Sequence, residues 1–84
     1  MDNIFVTTHY RVLKLMYDNV VKTTREDYCP LGQGEIAKEL NISRAIVNKV
    51  FSELRNNGYI SMITRSKWKL SNKAYAFIDV TSKL

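Results

Sequence analysis

The chain has 84 residues, 45% of them hydrophobic, and a formal net charge of +5. That length fits one small domain, and that apolar content fits a folded core rather than a disordered chain. No apolar run reaches the length of a membrane span, no basic and apolar leader opens the chain, and the lone Cys29 cannot form an internal disulfide, so a cytoplasmic protein is expected.

Ile4-Phe5-Val6 is a short β-branched and aromatic run that suits a strand, a helix lead-in or an arm laid on another subunit. Thr7 or Thr8 is placed to cap a first helix over residues 8–22. Tyr10, Leu13, Tyr17 and Val20 share one stripe of it, and Val12, Leu15, Met16 and Val21 widen that stripe. A helix with so much apolar girth buries more than one side, one over later helices and the other as a candidate subunit interface. His9, the only histidine, fits a surface or half-buried place better than a catalytic or pH-sensing one. With no second histidine and no cysteine cluster, neither a metal nor another cofactor is expected.

Residues 23–31 form a polar connection in which Pro30 forbids helix, and Tyr28 to Leu31 fits a short strand. The adjacent Glu26-Asp27 suits solvation rather than acid–base work, which needs separated carboxylates in different environments. Nothing around Cys29 lowers a thiol pKa, so it is not expected to act as a nucleophile.

From Gly32 to Ile60 the pattern tightens into two helices joined by a turn. The first opens at Gly32 with Glu35 three residues on, placed like the acid of a capping box, and carries Ile36, Ala37 and Leu40 on one side. Asn41-Ile42-Ser43 interrupts it, and Ser43 is a good N-cap for a second helix over 44–56. Val47, Val50, Phe51 and Leu54 share a face of that helix; Ala45, Lys49, Ser52 and Asn56 point the other way, flanked by Arg44, Asn48 and Arg55. Gly58 can take the left-handed turn that ends it.

This stretch resembles the helix-turn-helix of winged-helix DNA-binding domains, especially the small bacterial regulators of the MarR-like kind. The matching residues are Ile36-Ala37, Leu40, Ile42, Ser43-Arg44, Val47, Phe51, Leu54, Gly58 and Ile60, and the likeness covers roughly residues 32–72. A plain helical hairpin in a three-helix bundle is the alternative, but helix spacing, cap, glycine and the extended segment after it all agree with the winged form. The resemblance implies a mainly α fold with a small β-hairpin, in the order helix, short strand, helix, helix, hairpin, helix. The helix-turn-helix would span 32–57, the wing 59–70 and the last helix 72–82 of a single domain.

In the hairpin, Ile60, Met62, Trp68 and Leu70 are expected to face the core and Lys67 and Lys69 to face away, with Ile63 left over and Arg65-Ser66 in the turn. Leu70-Ser71-Asn72-Lys73 is similar to the Leu-Thr-x-Lys step that opens the final helix in the resembled family, although Ala74 stands where a glycine is usual. Ala74, Phe77, Ile78 and Thr81 form one face, extended by Tyr75 and Ala76. The resemblance implies that this helix joins the first in a homodimer.

Charge follows the same division. From Arg44 onward eight basic residues stand against two acidic ones, whereas residues 1–43 hold five basic and six acidic, the footprint of a polyanion binder. The expected DNA-contacting residues are Ser43, Arg44, Ala45, Ile46, Asn48, Lys49 and Ser52 on the second helix and its cap, and Arg65, Ser66, Lys67 and Lys69 on the wing. Arg44 and Lys49 can donate to guanine or phosphate, and Asn48 can pair with adenine. Ala45 permits close approach. Ile46 fits either a thymine methyl or packing against the wing or the preceding helix. Ser43 and the first helical N–H groups suit phosphate, and the hairpin cations suit the backbone or minor groove. A sequence-specific duplex-DNA binder acting in transcription is the favoured function. The alternatives are a plasmid or phage accessory protein of replication, partition or transfer, and a winged helix used for protein–protein contact. No nucleophile–base pair or phosphate-cradling loop points to an enzyme.

Overall fold

The computed structural model describes residues 8–82; the run Ile4-Phe5-Val6, Thr7 as a cap, and Lys83 lie outside the described residues. The architecture is mainly helical with one antiparallel hairpin, a winged helix-turn-helix.

Helix α1 spans Thr8–Asp18, ending short of the expected residue 22. Asn19 turns back, its Nδ2 donating to the Leu15 carbonyl at 2.9 Å, and the β-branched Val20-Val21 leaves the helix. Val21 then exchanges both backbone hydrogen bonds with Tyr28, at 2.7 and 3.0 Å. This pairing across the loop outcompetes another helical turn. The short strand expected over 28–31 shrinks to two bridging residues, Tyr28 against Val21 and Cys29 against Trp68. Pro30, which has no N–H to give, stops the ladder there.

Helix α2 is Gln33–Leu40, with Gly32 as its N-cap, and the Gly32 N–H donates to Glu35 Oε1 at 2.9 Å. It ends on Asn41, whose φ of 57° places it in the left-handed region that asparagine tolerates. Helix α3 is Arg44–Asn56, and the Ile46 N–H donates to Ser43 Oγ at 3.1 Å, the cap read from the sequence. Gly58, at φ 77°, closes it. Strands β1 (Ile60–Thr64) and β2 (Lys67–Leu70) follow, pairing Ile60 with Leu70 and Met62 with Trp68. Helix α4 is Asn72–Ser82. Ser71 stitches its start to the end of α3: its Oγ accepts from the Ala74 N–H at 3.2 Å and donates to the Gly58 carbonyl at 2.6 Å.

The core draws on every element: Val12, Leu13 and Met16 of α1, Ile36 and Ala37 of α2, Val47, Val50, Phe51 and Leu54 of α3, Ile60, Trp68 and Leu70 of the hairpin, and Ala74 and Ile78 of α4, with Cys29. Two expectations are corrected. The deepest stripe of α1 is Val12, Leu13 and Met16 rather than Tyr10, Leu13, Tyr17 and Val20, and Tyr17 lies edge-on to Tyr75 with much of its ring in solvent. Met62 is 51% exposed although it pairs with the buried Trp68. The indole occupies the space against Phe51, and the register slips between Met62 and Thr64, so that Ile63 is the extra residue of a bulge.

His9, expected at the surface or half-buried, is buried. Its Nε2 is hydrogen-bonded to Glu53 Oε1, tying α1 to α3 across the core's edge. Glu53→Ala, which takes the carboxylate from a buried imidazole, is expected to cost about 1–2 kcal/mol. The denaturant midpoint should fall at unchanged slope; an unmoved midpoint would show that the pair holds nothing together.

Candidate nucleic-acid interface

Burial of Val47, Val50, Phe51 and Leu54 leaves the opposite face of α3 to solvent. Arg44, Ala45, Ile46, Asn48, Lys49, Ser52, Arg55 and Asn56 are all exposed, as is the cap Ser43. The structure therefore leaves every expected α3 residue exposed, with Arg44 and Ile46 on the two flanks of the open face. The first turn of α3 has no acidic side chain, so nothing there offsets the positive end of the helix dipole. Ile46 is 45% exposed, which sets aside full packing against the hairpin or α2.

Arg44 is more constrained than sequence alone indicates. Its guanidinium lies over Gly34 in the first turn of α2, and a Cβ added at Gly34 would stand 3.6 Å from Arg44 Cζ and 3.7 Å from Nε. The glycine thus leaves a floor beneath the arginine at the α2–α3 junction.

On the hairpin, Arg65, Ser66, Lys67 and Lys69 are exposed, and Trp68 and Leu70 alternate with the lysines to hold the ribbon on the core. The lysines have neighbours that sequence reasoning missed. Lys67 Nζ sits 4.9 Å from the centroid of the Tyr28 ring, a cation–π distance. Lys69 Nζ lies 3.9 Å from Glu26 Oε1, a long and solvated ion pair of little worth. Both partners come from the connection after α1, whose polar character gave no pairing signal. Lys73, counted in the basic half, donates to the Asn57 carbonyl at 2.8 Å and lies over the Tyr59 ring, so it closes the end of α3 rather than joining the open face.

Burial pushes the Cys29 thiol up, away from the thiolate a nucleophile needs. Among the described residues no group of three histidine, cysteine or acidic side chains could hold a metal, and no helix is long and apolar enough to cross a membrane.

A profile of the Crp-like helix-turn-helix domain matches residues 10–74, more than half of the chain. No curated protein matches it significantly. Among solved structures it is similar to the reduced, Fe(II) CO-sensing protein of R. rubrum, with a TM-score of 0.74 and 23% identity over 81% of this chain and 34% of that one. It is also similar to the CO-dependent transcription factor CooA of Carboxydothermus hydrogenoformans in its imidazole-bound form, with a TM-score of 0.67 and 18% identity over 88% and 38% of the two chains. A CooA mutant from the same organism gives 0.60 and 19% over 89% and 39%. At these identities the likeness is one of fold, and the chain spans little more than a third of each of those proteins.

Proposed function

The chain belongs to the Crp-like helix-turn-helix family, and from that premise we propose that it binds duplex DNA sequence-specifically as a transcriptional regulator rather than acting as an enzyme. The MarR-like kind that the segment 32–72 resembles shares the winged fold, but the family that matches is the Crp-like one. The observation that carries the proposal is the open, acid-free first turn of α3, with Arg44, Asn48 and Lys49 in solvent. In helix-turn-helix docking that end of the second helix enters the major groove. Arg44 and Lys49 then donate to guanine or phosphate, Asn48 pairs with adenine, and Ala45, Ile46 and Ser52 lie against the groove. Ser43 and the first N–H groups of α3 meet phosphate, while Arg65, Ser66, Lys67 and Lys69 follow the backbone or minor groove. The outer sides of α1 and α4, where Tyr17 and Val80 are exposed, would join two copies into a dimer working in the cytoplasm.

A duplex titration across salt concentrations tests this. The parent is expected to prefer one sequence over random DNA and to lose affinity steadily with salt. Lys67→Ala with Lys69→Ala should weaken target and random duplex alike, and should flatten the logarithmic salt slope by about 0.9 for each phosphate that is no longer neutralised. A parent that binds no duplex at any salt would leave this basic surface to an acidic protein partner.

A further inference from the structure

Resting on the DNA-binding reading above, we infer that Ala45 and Ile46 read the 5-methyl group of thymine, so that a preferred site places a T·A pair beneath the first turn of α3. Ile46 is 45% exposed, and among the exposed isoleucines Ile63, at 36%, lies on the hairpin, whereas Ile46 lies on the recognition face of α3. Beside Ala45 on this face, an isoleucine in water gains by being covered with apolar surface. Its position is set by the backbone: its N–H is held by Ser43 Oγ at 3.1 Å, and a β-branched side chain in a helix has essentially one χ1 state. Ala45 adds a second small apolar group on the same open turn.

The chemistry around them narrows the choice. In the major groove only thymine offers a methyl group, and only cytosine offers its N4 amine as the sole polar handle. No carboxylate stands in the first turn of α3 to accept from that amine, and Glu53, further along, is engaged by His9. Arg44 and Lys49 only donate. Ala45, Asn48 and Ser52 follow one another at steps of three and four, so the Ala45 methyl and the Asn48 amide lie on one row of the helix. An adenine taken by Asn48 and a thymine methyl against Ala45 or Ile46 are features of the same kind of base pair.

The test starts from a duplex selected from random DNA by the full chain and replaces each thymine in turn with deoxyuridine, which removes only the 5-methyl. Affinity is expected to fall about fourfold at one or two positions, the worth of one methyl returned to water. In Ile46→Ala the loss at one of those positions should disappear, while sensitivity to base-pair changes elsewhere remains. Replacing that thymine with 5-methylcytosine should be tolerated better than replacing it with cytosine. A selected duplex indifferent to every uracil replacement, or a uracil effect that persists unchanged in both Ile46→Ala and Ala45→Gly, overturns the inference and leaves the DNA-binding reading standing. A chain that selects no duplex overturns both.

Discussion

Phe51→Ala is expected to lower stability by about 3–5 kcal/mol, enough to leave a domain of this size partly unfolded at room temperature. Phe51 is 2% exposed, and its ring meets Trp68 edge-on with centroids 4.8 Å apart, so truncation opens a void where α3 and β2 join. Denaturant melts of Phe51→Ala beside Phe51→Leu check this, because the leucine refills much of the space. A loss below about 1 kcal/mol would mean that this side of α3 is not the buried one. The open side would then be misassigned too, since a helix that turns Val47, Val50 and Leu54 outward turns Asn48 and Lys49 inward.

Arg44→Ala and Asn48→Ala are each expected to cost roughly 1–3 kcal/mol of DNA affinity and to relax choice at a single base pair. The measurement is binding to the selected duplex and to its single base-pair variants. Uniform weakening across all of them would assign the residue to phosphate instead. Arg44 is the more exposed to that outcome, because its guanidinium rests over Gly34 at the start of α2, near the helix end that phosphate favours. Asn48 has no such tether between it and the groove.

The helix-turn-helix was legible because its determinants are local. The spacing of Val47, Val50, Phe51 and Leu54 settles which side of α3 is buried, and Ser43 and Gly58 punctuate its ends. What was not legible depends on pairings across turns or between elements, which the spacing within one element does not show. The early end of α1 follows from Val21 pairing with Tyr28, and the burial of His9 from a carboxylate 44 residues away. Met62 alternates correctly yet lies half in water, because a neighbouring indole fills the space and a bulge follows. Lys67 and Lys69 face outward as their alternation predicts, but their neighbours Tyr28 and Glu26 come from a connection with no periodicity to read. The Crp-like and MarR-like kinds diverge for a related reason. Ile36-Ala37, Ser43-Arg44 and Gly58 build the winged fold that the two have in common, so they cannot tell one from the other.

Trp68 is the sole tryptophan of the chain, is 4% exposed, and stands where the ribbon meets α3. The protein therefore carries a single indole fluorophore at that seam and none on the face of α3 proposed to enter the groove. Its emission colour reports whether the ribbon stays anchored. A ligand that docks without lifting the ribbon should leave the spectrum blue, and one that pries it loose should turn it red.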